Sequence, residues 1–194
     1  MGQFTKIPED TFNALQLDAG VLLKTFSLEN PQIQDTDIIC ATTGGISVSC
    51  VPEYSDMGED VDNCPVNMKE LKHLDSWECT MSFTSLGTSA ELIKLALGSA
   101  TTTNQGEPAT HVQVSPNRNL SQADFGSIWW VGDKADGGFL AVELKNALST
   151  GGFSLQTEKN GKGQIEVELT GHVSITDQDT VPMQFYTTVA QATE

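Results

Sequence analysis

Two carboxylates near the C-terminus stand at a spacing that could do chemistry. Glu166 and Glu168 alternate with apolar residues in QIEVELTG, so they share one face of a predicted strand, about 6.6 Å apart. Paired carboxylates could serve a glycosidase or bind a cation. No third partner accompanies them, which favours a solvated polar face. We therefore predict that the chain is not an enzyme and has no catalytic residue.

The histidines and glycine-rich segments indicate neither nucleophilic nor nucleotide chemistry. His73, His111 and His172 lie far apart in the chain, and none stands beside Ser or Cys in a nucleophile pattern. No GxSxG elbow or phosphate-binding loop occurs, and GKGQIE is not a dinucleotide fingerprint. We expect ordinary surface or core histidines, and we predict no cofactor.

The acidic segment GEDVDN resembles half of a calcium-binding loop. Asp60 and Asp62 stand two residues apart, but Cys64 and Pro65 occupy the positions where an EF-hand has a ligand and a glycine. The four cysteines are Cys40, Cys50, Cys64 and Cys79. They form no CxxC pair, and no histidine stands at zinc-finger spacing from them. The sequence therefore predicts reduced, structural cysteines and no built metal site.

Length, charge and hydrophobicity bound the class of protein. The 194 residues fit a single domain, and 26 Asp+Glu against 10 Lys+Arg give a formal charge of −16. This balance argues against wrapping nucleic acid directly, because phosphate contacts need Lys and Arg. MGQFTKIPED has no apolar stretch behind Lys6, and no apolar run approaches the ~20 residues that span a bilayer. We therefore expect a soluble protein made in a cytosol.

Apolar alternation predicts a mainly β fold. SWECTMSFT places Trp77, Cys79, Met81 and Phe83 on one strand face, and similar alternation occurs in SIWWV, FLAVEL and MQFYT. Most of these runs are typical of strands with one buried and one wet face. We predict two packed antiparallel sheets, in a β-sandwich or barrel, with one flanking helix and long loops.

The hairpin around Asn160 illustrates how register follows from this pattern. A two-residue turn there would place Leu155 opposite Glu166, although cross-strand partners must share a face. We therefore predict a longer or bulged loop that pairs Leu155 with Val167.

One helix is predicted within TSAELIKLALG. Thr88 and Glu91 form a capping box, and Gly98 stands where a helix C-terminal glycine belongs. The residues expected to pack this helix on a sheet are Leu92, Ile93, Leu95 and Ala96.

Two polar stretches predict long loops at 51–76 and 99–121, the second with room for one edge strand. The first begins with a run that holds no basic residue: Glu53, Asp56, Glu59, Asp60 and Asp62. Like charges at this density favour an extended segment. Long loops in a compact domain usually serve a function, and an interface is the expected use.

Acidic residues also recur on predicted strands, at Glu78, Glu143, Glu166 and Glu168. Such repetition does not help a monomer to fold, but it suits a face that must stay hydrated and repel anions. A different interpretation starts from the pair Trp129–Trp130, of which one residue could face outward. It is a β-sandwich carbohydrate-binding module, with a tryptophan as sugar platform and calcium in the acidic loop.

Several segments resemble the major tail proteins of long-tailed phages and prophages of Gram-positive bacteria. The resemblance extends from about Leu17 to Tyr186 and is carried by GVLLKTFSLENP, DIICATTGGISVSCVPEYSDMGEDVDNCPVNMKELKHL, TSAELIKLALG, SIWWVGDKADGGFLAVELKNALSTGGFSLQTEKNGKGQIEVELTGHVS and VPMQFY. ELIKLALG and NGKGQIEVELTGH are its most characteristic parts.

The resemblance implies a tail tube protein, folded as one domain over 1–194 with an extended N-terminal arm at 1–20. In that family, hexameric rings stack into a hollow tube, which holds the tape measure protein and later passes DNA. Terminator and distal tail proteins are the further partners that it implies. On this basis we expect the four strand glutamates to line the lumen, and the acidic residues of 51–64 to contact neighbouring subunits or rings.

Overall fold

Strands dominate the fold, as the apolar alternation predicts. The computed structural model describes residues 7–8 and 11–188, which form ten strands and one α-helix. The strands are β1 Gln16–Leu23, β2 Thr42–Asp56, β3 Lys72–Ser85, β4 Ala100–Gln105, β5 His111–Pro116, β6 Gly126–Lys134, β7 Phe139–Ser149, β8 Ser154–Gln156, β9 Gln164–Gly171 and β10 Met183–Thr187. The helix is α1, Ala90–Leu97. Of the predicted N-terminal arm, residues 1–6 and 9–10 lie outside the described residues.

Eight strands form one antiparallel sheet in the order β1-β6-β7-β9-β3-β2, with β10 paired to β7 and β8 paired to β9. Strand β7 pairs with β10 through Leu140–Leu144 and with β9 through Ala147–Ser149. The sheet therefore consists of two four-stranded layers, β1-β6-β7-β10 and β2-β3-β9-β8, which we call the first and second layers. They join where β7 meets β9.

The change of layer occurs at an irregularity in β7. Asn146 has a φ of 48°, and the register between β6 and β7 shifts at this point. The Asn146 side chain donates a hydrogen bond to the backbone carbonyl of His172 at 2.9 Å. Asn tolerates this left-handed conformation better than most residues, and a bulge of this kind bends a strand.

The inner faces of the two layers enclose a shared core. Leu22 and Leu144 of the first layer and Met81 and Leu169 of the second are fully buried in one cluster. The predicted packing of two β layers is thus confirmed, and the layers are halves of one continuous sheet. A smaller cluster lies on the outer face of the first layer, where Phe26 packs on Trp129.

Helix α1 closes one end of the core, as predicted, although its N-cap is Ser89 and not Thr88. Ser89 Oγ accepts a hydrogen bond from the amide of Leu92 at 3.2 Å. Leu92 and Ala96 are buried in the core and Leu95 packs against it, whereas Ile93 is half-buried and outside the cluster. No helix in the described part of the chain is long and apolar enough to cross a membrane.

The segment 99–121, predicted as a long loop, contains a two-stranded hairpin. β4 and β5 pair from Ala100–Pro116 to Gln105–His111 as a separate small sheet. The prediction allowed for one edge strand but missed the pairing of two. Polar residues such as Thr101–Thr103 form strands when backbone pairing is available on a surface, without an apolar row.

The β8–β9 hairpin confirms the predicted longer loop but corrects its register. Leu155 pairs with Ile165 and not with Val167, so the connection spans 157–163. Both registers keep Leu155 opposite an apolar residue, and apolar pattern alone does not distinguish two registers that differ by two residues.

Candidate functional site: an acidic face and a projecting arm

Three of the four glutamates predicted to share a face do so. Strand β9 presents Glu166 and Glu168 outward from the second layer, while its alternate residues are buried. The register places Glu166 opposite Thr84 and Glu168 opposite Ser82. Glu78 lies on the same face of β3, because it is separated from Ser82 by an even number of residues.

We call this outer surface of the second layer the acidic face. Its strand residues are Thr43, Ser47, Ser49, Val51, Glu53, Ser76, Glu78, Thr80, Ser82, Thr84, Ser154, Gln156, Gln164, Glu166, Glu168 and Thr170. None of them is Lys or Arg. A shallow groove of about 590 Å³ runs across β2, β3 and β9 on this face. The acidic face is therefore a hydrated surface of hydroxyls, amides and negative charge, without a cation to hold an anion.

Glu143, the fourth predicted glutamate, is not on the acidic face. It lies on β7 in the first layer, opposite Trp129 and Gln184. Its Oε2 accepts a hydrogen bond from Tyr186 Oη at 3.5 Å. Burial, reinforced by this carboxylate, raises the pKa of Tyr186. The prediction failed because β7 has apolar residues on both sides, so its pattern does not reveal which layer it joins.

The segment 51–76, predicted as a long loop, is mostly a β-hairpin. Strands β2 and β3 pair from Thr42–Ser85 to Asp56–Lys72, whereas β9 pairs with β3 only along Thr80–Ser85. Residues 51–56 and 72–78 therefore pair only with each other, and the connecting loop covers 57–71. We call residues 51–77 the projecting arm.

One face of the projecting arm continues the apolar row of the core. Along this face Met81 is 0% exposed, Trp77 38%, Leu74 42% and Tyr54 55%. Tyr54 pairs with Leu74, and Pro52 pairs with Trp77. We call Tyr54, Leu74 and Trp77 the arm row. Sequence analysis placed Trp77 in line with the buried residues but missed the other two, because Pro52, Glu53 and the bulge in β3 interrupt the alternation.

The five acidic residues predicted in this region have three different placements. Glu53 lies on the acidic face, where its carboxylate accepts a hydrogen bond from Ser76 Oγ at 2.5 Å. Asp56 Oδ1 and Oδ2 accept from the amides of Gly58 at 3.0 Å and Asn67 at 2.8 Å. The remaining three are exposed in the loop: Glu59, Asp60 and Asp62. Nowhere in 7–8 or 11–188 do three metal-ligating side chains cluster.

The predicted sugar platform is buried. Trp129 and Trp130 are 9% and 8% exposed. Trp130 points into the shared core, and its indole N–H donates to the carbonyl of Ala19 at 3.0 Å. Trp129 faces the other way and stacks on Tyr186, with ring centroids 5.6 Å apart. Both rings are therefore mostly covered by the fold, and neither stands out as an exposed platform.

Comparison with known proteins leaves the family of this chain undecided. The sequence matches no protein-family model and no curated protein. The acidic face and the projecting arm are therefore the observations from which function is argued.

Proposed function

We propose that this chain is a structural virion protein, which polymerises into stacked rings to form the tail tube of a long-tailed phage. The rings are hexameric in this proposal, which follows the resemblance described above. The tube surrounds the tape measure protein, is bounded by terminator and distal tail proteins, and later conducts DNA. It assembles in the bacterial cytoplasm and becomes part of the virion tail.

The projecting arm is the observation that carries the proposal. Among the described residues, 21 large apolar side chains are exposed, and eight of them lie in the arm: Val51, Tyr54, Met57, Val61, Val66, Met68, Leu74 and Trp77. Covering one such side chain fully contributes about 1.5–3 kcal/mol. A concentrated apolar surface of this kind indicates a protein–protein interface. A polymer that covers the arm at every subunit supplies that interface.

The acidic face supports the second half of the proposal, a channel for DNA. Duplex DNA carries one negative charge per about 1.7 Å, so a cationic wall would hold it at every ring. The Ser, Thr and Glu side chains of the acidic face offer no such contact. At physiological salt their repulsion extends only ~8 Å, which prevents adhesion without blocking passage. The face therefore has the character of a non-adhesive lining.

The open edges of the sheet are also consistent with a closed ring. β1 and β2 stand at the two ends of the strand order, and the C-terminal end of β1 is covered by the 37–39 segment, where Ile38 pairs with Leu23. Exposed edges pair with other chains, and a heterologous contact that closes into a ring satisfies them without uncontrolled growth around the circumference.

Electron microscopy of the purified full-length chain tests the proposal. Negative staining, with size-exclusion chromatography and light scattering on the same samples, is expected to show rings or tubes with a central hole. The fraction assembled is expected to rise with protein concentration. A chain that stays monomeric up to its solubility limit and binds glycans reproducibly would contradict the proposal and favour a carbohydrate-binding module.

A further inference from the structure

An apolar cleft opens between the two layers on the side away from the β7–β9 junction. It has a volume of about 390 Å³ and is lined by Ile46, Val48, Trp130, Leu140, Val142 and Phe185. Phe185 stands at its mouth with 58% of its surface exposed, while Val142 at its base is 2% exposed. The cleft is thus a part of the shared core that residues 7–8 and 11–188 leave unfilled. We call it the open cleft.

One charged residue lines the open cleft. Asp18, on β1, is exposed and forms no ion pair within the described residues. Its φ of 56° is a left-handed conformation, and it lies in the irregular part of β1, where the register with β6 shifts between Leu17 and Val21. A partner that fills the cleft with apolar side chains is therefore bound more tightly if it also places a cation beside the carboxylate of Asp18.

The arm row ends next to such a cation. The ammonium group of Lys72 lies over the ring of Tyr54, 5.8 Å from its centroid. Lys72 makes no ion pair within 4.0 Å among the described residues. Lys72 also donates a hydrogen bond to Asn67 Oδ1 at 3.4 Å and pairs with Asp56 across the hairpin. The projecting arm thus presents three apolar side chains followed by an ammonium group, and the open cleft presents an apolar hollow with one negative charge.

We propose that the arm row of one copy docks in the open cleft of a second copy, with Lys72 facing Asp18. This inference rests on the proposed self-assembly and assigns its contact surfaces. A second copy is favoured as the occupant by complementary charge, since the chain has only 10 basic residues against 26 acidic ones and one of the ten stands beside the arm row. The contact is heterologous, because arm and cleft are different surfaces, and so it propagates around a ring.

Isotope-resolved cross-linking tests the pairing directly. Chains labelled with ¹⁴N and ¹⁵N are mixed, assembled and treated with a carbodiimide, which joins an amine to a carboxylate in direct contact. The expected product is a peptide pair linking Lys72 to Asp18 with one isotope on each side. In an equimolar mixture, links between copies join unlike isotopes as often as like ones. Lys72–Asp18 links that carry the same isotope on both sides without exception, or protection of the cleft already in the monomer, would mean that the chain fills its own cleft and would overturn the inference.

Substitutions test the apolar part of the contact. Leu74→Ser is expected to raise the concentration needed for assembly by about tenfold or more, because it removes one anchor from the interface. Leu74→Met is expected to assemble normally. Leu120→Ser is the matched control, since Leu120 is 54% exposed on a loop outside the arm, compared with 42% for Leu74. Circular dichroism checks that all three variants remain folded.

The outcomes separate this inference from the proposed function. The docking assignment is overturned if tubes form without the mixed-isotope Lys72–Asp18 link, or if they form equally well from Leu74→Ser and Leu120→Ser. Either result leaves the proposed function as a tube protein unaffected. A folded chain that forms no rings or tubes under any of these conditions overturns both.

Discussion

The sulfur atoms of Cys50 and Cys79 lie 3.4 Å apart on directly paired residues of β2 and β3. Cys79 is 1% exposed, and burial together with the neighbouring Cys50 sulfur raises the pKa of Cys79 to about 12. The pair stands at the base of the projecting arm, where the core row becomes the exposed arm row. Because the thiolate is the reactive form of cysteine, Cys79 is protonated and inert near neutral pH.

This protonation state predicts a large difference in thiol labelling. At pH 8, native Cys79 is expected to react with iodoacetamide on the order of a thousandfold more slowly than an ordinary exposed cysteine. Its rate is expected to rise about tenfold per pH unit towards pH 12 while the fold persists, since the thiolate fraction rises by that factor. Peptide mass spectrometry measures the rate, with the less buried Cys64 as internal control. Equal labelling of Cys79 and Cys64 at pH 8 would contradict the burial of Cys79.

The loop of the projecting arm is predicted to depend on the ionised form of Asp56. Amide donation from Gly58 and Asn67 lowers the pKa of Asp56 below its ordinary value. The two hydrogen bonds that anchor the loop to Asp56 are therefore fully formed above the ordinary Asp pKa of about 3.9. They are lost as pH falls through the lower pKa of Asp56 in the folded state. Hydrogen exchange is expected to show protected Gly58 and Asn67 amides at pH 5 and a loss of protection well below pH 4.

A substitution distinguishes the loss of the Asp56 hydrogen bonds from other effects of low pH on the fold. Asp56→Ala is expected to lower the protection factor of the Asn67 amide about tenfold at pH 6, because a charge-assisted hydrogen bond is removed. Glu59→Ala is the matched control, since the Glu59 side chain is exposed on the same loop. Unchanged protection in Asp56→Ala, or the same loss in both variants, would show that the carboxylate of Asp56 does not hold the loop.

Sequence analysis predicted the elements in which local pattern and tertiary packing agree. Strand β9 has strict alternation and one buried face, so Glu166 and Glu168 were placed on the same outward face correctly. Helix α1 has a capping signal, an apolar face and Gly98 at φ 76°. In both cases the residues that fix the local conformation are also those that pack, so local preference and tertiary packing favour the same structure.

What sequence analysis missed depends on contacts between distant segments. The layer to which Glu143 belongs is decided by β6 and β10, which pair with β7 from two sides. The exposure of Trp77 is decided by where β9 stops pairing with β3. The sequence next to Glu143 or Trp77 does not reveal these pairings between distant strands. An apolar residue at the exposed end of a row therefore has the same local pattern as the buried residues of that row.

The helix contact gives a prediction on stability. Leu92→Ala is expected to lower the free energy of unfolding by about 2–5 kcal/mol, since Leu92 is 1% exposed in the shared core and its loss leaves a cavity. Ile93→Ala is expected to lower it by less than half as much, because Ile93 is half-buried outside that cluster. Urea denaturation of the monomer measures both. Equal losses would show that α1 presents a different face to the sheet.

The final prediction concerns the acidic face in assembled tubes. Replacing Glu166 and Glu168 by Lys is expected to leave assembly intact, because both side chains are exposed and, within the part of the chain that the structure describes, pair with no cation. The double variant is expected to retain DNA that wild-type tubes release, since each ring gains a set of phosphate contacts. Retention is expected to weaken steeply with salt, because phosphate binding releases counterions. In particles, the same change is expected to slow or block DNA ejection.

A matched control distinguishes the position of the charge from its amount. Glu107→Lys with Asp179→Lys makes the same charge change at exposed residues that do not belong to the acidic face. Filter binding with fluorescent DNA, from low to physiological salt, compares wild-type, acidic-face and control tubes. Retention only by the acidic-face variant supports a lumen lined by Glu166 and Glu168. Equal retention of DNA by both variants would indicate that DNA binds to the outside of the tube. Release of DNA by both variants would show that the acidic face has no role in conducting DNA.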